Sequence, residues 1–465
     1  LYLACVLFRL VVVCIGAAER TAAVTISPTE IEQLNNGALT TYTVLVPLYR
    51  EANIIESVLE SLARLDYPAH LLDVKLLLEA DDIETIEAVQ SSPLPGYCET
   101  VIVPVSFPRT KPKACNHGLA AARGEYVVIF DAEDRPDADQ LKKAILAFRR
   151  APDDVACFQA KLNYYNADQN QLTRWFTIEY TMWFEFFLPG LRAIGAAIPL
   201  GGTSNHFRAD LLRKLGGWDP FNVTEDCDLG IRIYRSGYRT LLLDSTTWEE
   251  ATSRLGSWVK QRSRWIKGFL QTHLAHTRNP VALARSLGAW RSICFLLTVG
   301  WTAATLMINL VFWIIGLVYA ALLAADAAEG RSPIEMMAGD RDSYRLAWKL
   351  LYYGAGEDPL WSAVSIACFC ATVALLLANV IFIGVNCLAC TKPPARGFLW
   401  SALSCPVYWV LISLAAARGA VELFTKPFHW SKTAHGLWAD RATGQTKPSL
   451  IPKRSPPGSE PGRRT

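Results

Sequence analysis

Three long apolar stretches constrain most strongly what this chain can fold into. Residues 291–325, 360–390 and 397–420 are almost free of charged side chains, whereas residues 38–285 mix apolar and polar residues as globular domains do. A bilayer span needs about 20 apolar residues. The pattern therefore predicts a globular domain at 38–285 followed by membrane helices within 290–420.

The two ends of the chain favour the same arrangement. Residues 1–18 are apolar and predict a transmembrane helix whose beginning we expect to lie before Leu1. Residues 291–325 are too long for one comfortable span at 1.5 Å per residue, which predicts a break near Gly300 or Asn309. The tail at 421–465 is basic, which favours the cytosolic side, so an even number of crossings, such as four, would separate it from a cytosolic globular domain.

Charge and cysteine content narrow the function classes. The net charge of +3 is too small to indicate a nucleic-acid partner. The twelve cysteines are scattered, which fits a reducing compartment and a cytosolic globular domain. Cys387 and Cys390 form a CxxC in apolar surroundings, where packing is favoured over a metal or redox role.

Alternating strands and helices define the first half of the globular domain. Continuous apolar runs at 41–51, 73–82, 99–105 and 124–134 predict buried strands, and the segments between them have helical periodicity. This alternation predicts an α/β domain with a mostly parallel sheet and helices on both faces. Ligands of such sheets bind beyond the carboxyl ends of the strands, and three of the four runs end in carboxylates.

Two later segments are amphipathic and rich in aromatic residues. Residues 174–192 contain Trp175, Phe176 and Trp183, and residues 255–274 have the same character. Because Trp and Tyr favour the membrane interface, both segments are predicted to be helices that lie on the bilayer.

An acidic turn follows the fourth predicted strand. The stretch "VVIFDAEDRP" places Asp131, Glu133 and Asp134 at the end of that strand. Carboxylate oxygens are ligands for Mg²⁺ or Mn²⁺, which in turn bind phosphate oxygens. The alternative is a solvated acidic turn that caps the next helix.

A second acidic site lies in "NVTEDCDLG", residues 222–230. Asp226 in this stretch is a candidate general base that would deprotonate an attacking hydroxyl. The alternative is a helix N-terminus, with Thr224 as the cap and Asp226 or Asp228 favoured by the helix dipole.

The stretch "QRSRWIKGF", residues 261–269, is basic and sits shortly before the apolar region. Arg264 can bind a diphosphate through two parallel hydrogen bonds, and Trp265 offers a flat face that matches a sugar ring. A lipid-binding basic helix is the alternative, and it is the favoured interpretation for Arg262 and Lys267.

Taken in order, Asp81/Asp82, "FDAED", "TED" and "QRSRW" resemble the D, DxD, TED, QxxRW signature of processive family 2 glycosyltransferases. This group includes the cellulose, curdlan, chitin and hyaluronan synthases. "PLYREAN", "LEADD", "DAEDRP" and "PLGGTSNHF" resemble bacterial cellulose-synthase-like enzymes, including curdlan and mixed-linkage β-glucan synthases. The resemblance covers about residues 40–290, and "FTKPFHWSKTAHG" at 424–436 is distantly similar to the gating loop of cellulose synthases.

The resemblance implies a glycosyltransferase A-type domain and a role for each matching residue. Asp226 would be the catalytic base, and metal ligands would be Asp131 with Glu133 or Asp134. The residues that would bind the UDP-sugar are Glu51, Asp81, Asp82, Lys113, Asp131, Glu133, Gln261 and Arg264. The residues that would bind the acceptor are Trp265, Thr203, Ser204 and Glu225. The motif reads DAED instead of DxD, which leaves Glu133 and Asp134 open as alternatives.

The implied activity is an inverting, processive hexosyltransferase in the bacterial inner (plasma) membrane. It would use Mg²⁺ or Mn²⁺ to polymerise a UDP-sugar, with UDP-glucose favoured, into a β-glucan. The growing polysaccharide would leave through a channel between the spans, past aromatics such as Trp301, Trp313 or Trp409, and an accessory secretion subunit could assist. The alternatives are a non-processive glycolipid or lipid-linked sugar transferase, a UDP-GlcNAc-dependent chitin or hyaluronan type of synthase, and a non-catalytic membrane scaffold.

Overall fold

The computed structural model describes residues 1–19, 23–34, 39–328, 374 and 376–428. The first part of the predicted span at 360–390 and the tail from residue 429, with most of the gating-like segment, lie outside the described residues.

One mixed sheet organises the domain. Its strands, among the described residues, are β1 Ala23–Val24, β2 Tyr42–Leu48, β3 Leu72–Glu79, β4 Cys98–Val103, β5 Tyr126–Ile129, β6 Arg135–Pro136, β7 Val155–Tyr164, β8 Asn205–Arg208 and β9 Arg239–Glu249. The order across the sheet is β1-β9-β7-β8-β5-β2-β3-β4, and β6 pairs with β9. Only β8 and β6 run antiparallel to their neighbours, so the predicted mostly parallel sheet is confirmed.

The helices follow the strands in the predicted alternation. Those of the globular part are α2 Pro28–Glu32, α3 Ile55–Ala63, α4 Ile83–Gln90, α5 Lys111–Ala121, α6 Gln140–Arg150, α7 Gln171–Met182, α8 Leu188–Ala193, α9 Ala209–Lys214, α10 Glu225–Arg235 and α11 Leu255–Thr277. A π-helical turn, Trp183–Phe187, joins α7 to α8.

Side chains alternate between two cores, one on each face of the sheet. On β2, Leu45 packs into one core, whereas Val44 and Val46 pack into the other. Helices α5 and α10 cover the first face, and α3 and α6 cover the second. Both faces of the central strands are therefore buried, which is the reason for their uninterrupted apolar sequence.

Further apolar helices lie at the two ends of the described chain: α1 Tyr2–Ala18, α12 Pro280–Leu287, α13 Ala289–Phe295, α14 Thr302–Ala328, α15 Leu376–Ala389, α16 Leu399–Leu403 and α17 Cys405–Thr425. A π-helical turn, Leu296–Gly300, extends α13, and the helix is interrupted at Trp301, close to the break predicted at Gly300.

By length and composition, α17 alone among the helices of the described residues is suited to cross a bilayer by itself. The segments Pro280–Leu287 and Ala289–Gly300 meet the same criterion only as a pair, and they are bent by 115° relative to each other. Helices α1 and α15 and the segment Thr302–Val311 of α14 are apolar but shorter. The multi-pass arrangement stays a prediction.

The aromatic segment at 174–192 differs from its prediction as an interface helix. Phe176, Phe184, Phe186 and Phe187 are buried inside the protein. They pack against the sheet and neighbouring helices because α7 and the π-turn lie between the sheet and the apolar helices. These buried aromatic side chains therefore pack the sheet against the apolar helices.

Helix α1 crosses this region at a point where both helices carry glycine. A Cβ on Gly16 would lie 1.8 Å from the carbonyl oxygen of Phe186, and a Cβ on Gly190 would lie 1.9 Å from that of Val12. The backbones can approach this closely only because both side chains are absent. The contact places α1 against the globular domain.

We expect Gly16→Ala to lower the melting temperature of the detergent-solubilised protein, because the added methyl must push the two backbones apart. Overpacking of this kind costs about 1–3 kcal/mol. Gly384 on α15 is the control, since a Cβ there meets nothing within 4 Å. Gly384→Ala should leave the melting temperature unchanged or raise it. Equal melting temperatures for the two variants would contradict the close crossing.

Candidate active site

A cavity of about 1870 Å³ lies beyond the carboxyl ends of β2, β3, β5 and β9. It continues past α7 and α11 to residues of α1, α14, α15 and α17. The location is the one expected for ligands of a mostly parallel sheet.

Carboxylates crowd the sheet end of the cavity. Asp131, Glu133 and Glu249 line it, and Asp134 is buried directly behind them. Burial raises the pKa of Glu133, and the negative charges of Asp131 and Glu51 raise it further. Burial and the nearby acidic cluster likewise raise the pKa values of Asp134 and Glu249. The site is therefore strongly attractive to a cation.

The donor atoms can be tested against Mg²⁺ or Mn²⁺. Asp134 Oδ2 accepts a hydrogen bond from the backbone N–H of Asp131 at 2.7 Å, whereas its Oδ1 is buried without a hydrogen-bond partner among the described residues. No set of three or more His, Cys, Asp and Glu side chains within the described part of the chain is arranged to hold a metal by itself. Mg²⁺ commonly uses one or two carboxylates together with phosphate oxygens, so these residues fit a cation that binds with a diphosphate.

Two lysines at the start of α5 have different surroundings. Lys113 is buried outside the cavity lining, and it pairs at 2.7 Å with Glu79, which belongs to the lining. Lys111 lines the cavity, where its Nζ forms an ion pair with Asp131 and donates to the carbonyl oxygen of Gly202 at 2.7 Å. The structure thus places Lys111, not the predicted Lys113, beside the carboxylates.

The "TED" motif forms the first turn of α10. Glu225 and Asp226 both line the cavity, and Asp226 Oδ1 accepts a hydrogen bond from the backbone N–H of Cys227 at 2.7 Å. Burial, followed by the charge of Asp226, raises the pKa of Glu225 to about 8. Burial also raises the pKa of Asp226, although the Cys227 N–H and the charges of Lys111 and Arg264 oppose this shift.

Helix α11 brings the "QRSRW" residues to the cavity wall next to this turn. Gln261, Arg264 and Trp265 line the cavity. Arg264 donates to the carbonyl oxygen of Val223 at 3.3 Å, which places it beside the "TED" turn. A Cβ on Gly268 would lie 2.3 Å from the Thr224 hydroxyl, so this glycine permits the close approach of α11 to α10.

The lipid-binding interpretation of Arg262 and Lys267 is wrong, because both side chains are buried within the protein. Arg262 forms an ion pair with Glu179 and donates to the Tyr408 hydroxyl at 2.9 Å. Lys267 donates to the backbone carbonyl of Lys426 at 3.0 Å. Both cations join α11 to the region of α17.

Glu51, Asp81 and Asp82, the first three residues predicted to bind the UDP-sugar, have different positions. Glu51 is buried and lines the cavity. Asp82 accepts a hydrogen bond from the backbone N–H of Arg50, whose φ of 55° is in the left-handed region, and so supports the turn after β2. Asp81 lies on the surface in an ion pair of 2.6 Å with Arg109, a residue of the cavity lining.

Of the two predicted acceptor residues before β8, only Thr203 lines the cavity. Its hydroxyl contacts the Asp134 carboxylate and the carbonyl oxygen of Ile129. Ser204 has a positive φ of 56° and turns its side chain toward Thr247, at 2.6 Å from that hydroxyl. Thr203 thus helps to orient the acidic turn, and Ser204 lies behind the cavity wall.

Sequence reasoning missed Lys111 and Glu249 at this site. Glu249 is the last residue of β9, so the rule that ligands bind at strand ends could have identified it. Lys111 gave no comparable signal. Lys111 and Lys113 lie two positions apart on α5, and the packing of that helix decides which of them faces the cavity.

Comparisons with known proteins agree with this site. Residues 126–327 match the model of the family described as Glycosyl transferase family group 2. This part of the chain, which includes Asp131, Asp226 and the "QRSRW" segment, is therefore similar to family 2 glycosyltransferases over 126–327.

Individual relatives are distant and differ in activity. The chain is 29% identical over 231 residues to a probable glycosyltransferase, YdaM, of Bacillus subtilis. The match covers 48% of this chain and 54% of that protein. It is 25% identical to a beta-monoglucosyldiacylglycerol synthase of Nostoc, over 58% of each chain. It is also 25% identical to glucomannan 4-beta-mannosyltransferase 1 of Oryza sativa, over 52% of this chain and 48% of that one. The chain thus spans about half the length of these relatives.

Among solved structures, a mannosyltransferase from Pyrobaculum calidifontis, in complex with GDP-Man and Mn²⁺, is 21% identical. The match covers 92% of this chain and 100% of that one, with a TM-score of 0.48.

The raised pKa of Glu225 predicts a pH-dependent stability. Between the usual value of a glutamate, about 4.3, and about 8, the folded state keeps a proton that the unfolded state has lost. The free energy of unfolding therefore falls as pH rises through this window. We expect the melting temperature of the Glu225→Gln protein to fall less than that of the wild type between about pH 5 and pH 8.

The exposed Glu84 on α4 provides the control for this measurement. Glu84→Gln should follow the wild-type pH dependence of the melting temperature. An equally steep decline in the Glu225→Gln protein would show that this carboxyl does not hold the proton.

Proposed function

We propose that this protein is a membrane-bound, inverting glycosyltransferase that transfers a hexose from a UDP-sugar, with UDP-glucose favoured, to the end of a growing β-glucan. The observation that carries the proposal is the continuity of one cavity from the acidic cluster to the apolar helices. Its volume of about 1870 Å³ exceeds the range of about 300–1,000 Å³ that is usual for small-molecule sites. There is room for a donor together with an extended acceptor.

Aromatic rings support an acceptor made of sugars. Trp175, Tyr180, Trp183, Trp265 and Trp409 line the cavity between the catalytic carboxylates and the apolar helices. Trp265 packs against Tyr180, with 6.3 Å between ring centroids. Such rings offer apolar faces on which successive sugar rings can stack while the polymer moves toward the membrane helices.

The transfer itself needs one base. In the proposed reaction, the Asp226 carboxylate takes the proton of the acceptor hydroxyl as its oxygen attacks C1 of the α-linked donor sugar. The bond from C1 to the diphosphate oxygen breaks, UDP leaves, and the new linkage is β. Arg264 and Lys111 line the cavity, and in this reaction fixed cations there would stabilise the negative charge of the departing diphosphate.

Asp131 and Glu133, with Asp134 behind them, would hold a divalent cation that supplies charge neutralisation for the diphosphate. Glu51 and the surface pair of Asp81 with Arg109 are proposed to contact the nucleotide. Glu225 and Thr203 are proposed to lie near the acceptor end.

The direct test is product analysis with purified protein in nanodiscs. We expect incubation with radiolabelled UDP-glucose and Mg²⁺ or Mn²⁺ to yield a polymer that linkage-specific β-glucanases degrade, and UDP-GlcNAc and GDP-mannose to be poorer donors. A single-sugar lipid as the sole product would contradict polymerisation. Absence of transfer from all three donors would contradict the proposed activity.

The base assignment predicts that Asp226→Asn lowers transfer by about 10²–10⁴-fold, because amide nitrogen and oxygen cannot accept the hydroxyl proton. Binding of the UDP-sugar, measured by calorimetry, should persist. The control is Asp210→Asn, which changes an exposed carboxylate on α9 and should leave transfer intact. Normal turnover by the Asp226→Asn protein would refute the assignment.

A second candidate is the synthesis of a glycolipid, in which a lipid hydroxyl replaces the sugar acceptor. Similarity to a beta-monoglucosyldiacylglycerol synthase and the apolar residues at the far end of the cavity favour it. The product analysis separates the two, since a glycolipid synthase stops after one or two sugars.

A further inference from the structure

Arg9 is the one charged residue of the apolar helix α1, whose sequence is "YLACVLFRLVVVCIGAA". A cation within such a helix is costly in an apolar environment and marks a functional site by default. Its Nη2 donates to the Thr302 hydroxyl of α14 at 2.8 Å. Both side chains line the cavity at its helical end, beyond the catalytic carboxylates.

Among the described residues, the charges close to Arg9 do not balance. Glu179 is the nearby carboxylate, and it already accepts from both terminal nitrogens of Arg262 and from the Tyr408 hydroxyl, at 2.6 Å. The charge of Glu179 acts on Arg9, but the ion pair that Glu179 forms is with Arg262. Arg9, Arg262 and Glu179 together leave one net positive charge, which an anionic ligand would compensate.

The walls around Arg9 are of two kinds. Tyr2 lines one side and donates its hydroxyl to Asn309 Oδ1 at 2.8 Å, so hydrogen-bonding groups surround the cation. Val6, Ala378 and Phe382 form an adjoining apolar wall and belong to one apolar cluster between α1 and α15. An occupant that matches both walls must be amphipathic, with an anionic head.

We propose that Arg9 and Thr302 bind the phosphate group of a membrane lipid, with an acyl chain against Val6, Ala378 and Phe382. A guanidinium binds phosphate through two parallel hydrogen bonds, and the hydroxyls nearby can complete the shell. Free phosphate shares the head-group chemistry but cannot bury the apolar wall. This lipid site lies at the helical end of the cavity, away from the catalytic carboxylates, and goes beyond the proposed transfer.

The test uses the full chain in detergent and three probes: dioctanoyl phosphatidic acid, dioctanoylglycerol and inorganic phosphate. Phosphatidic acid should bind more tightly than either other probe, because it alone engages both walls. Arg9→Gln should weaken its binding by roughly tenfold or more, because both charge-assisted hydrogen bonds to the phosphate are lost. Binding of dioctanoylglycerol should not change.

Arg285→Gln is the matched control, since it removes an exposed cation on α12, outside the cavity lining. It should bind phosphatidic acid as the wild type does.

Two further variants change the site itself. Arg9→Lys keeps the charge without the paired hydrogen bonds and should bind with intermediate affinity, and Thr302→Val should weaken binding by a smaller factor. If the Arg9→Gln protein does not fold, the affinities of the Arg9→Lys and Thr302→Val proteins still test the proposal.

Unchanged affinity for phosphatidic acid in the Arg9 and Thr302 variants would overturn the proposal and leave Arg9 as a tie between α1 and α14. Equal binding of phosphatidic acid and dioctanoylglycerol, or binding of inorganic phosphate alone, would overturn it as well. UDP-glucose binding by the same samples should stay constant across the variants. The lipid site and the proposed transferase activity can therefore fail independently.

Discussion

Repulsion among buried carboxylates is the constraint on which the rest of this structure depends. Glu133, Asp134 and Glu249 come together with Asp131 where the strands end, although burial and the neighbouring negative charges disfavour the charged forms of the first three. Lys111 offsets part of this cost through its ion pair with Asp131. A protein that maintains such a cluster has a site prepared for positive charge, and a cation bound to a nucleotide diphosphate fits that requirement.

Helix α11 connects this electrostatic site to the apolar helices. One face presents Gln261, Arg264 and Trp265 to the cavity. The other buries Arg262 and Lys267, which hydrogen-bond to α17 and to the backbone just after it. Because the two sets alternate along one rigid helix, the wall of the cavity and the apolar helix α17 are held together.

Much of the fold was predictable from the sequence. Uninterrupted apolar runs predict parallel strands, and the sheet confirms this, with a cavity at the edge where three of those runs end in carboxylates. Asp131, Glu133, Asp226, Gln261, Arg264 and Trp265 all line one cavity, as motif order implied. The exceptions share one physical reason: whether a polar side chain on a helix faces the cavity, the protein or lipid depends on what packs against that helix. Lys113, Arg262 and Lys267 were misjudged on this ground.

The sequence by itself determined the alternation of elements, the acidic strand ends and the apolar helices, because each follows from local periodicity and residue chemistry. Only the tertiary structure decided that Lys111 faces the carboxylates while Lys113 pairs with Glu79. It also decided that Glu249 joins the cluster and that Arg9, far away in the chain, lines the same cavity as Asp226. These outcomes depend on the packing of segments distant in sequence, which local pattern does not encode.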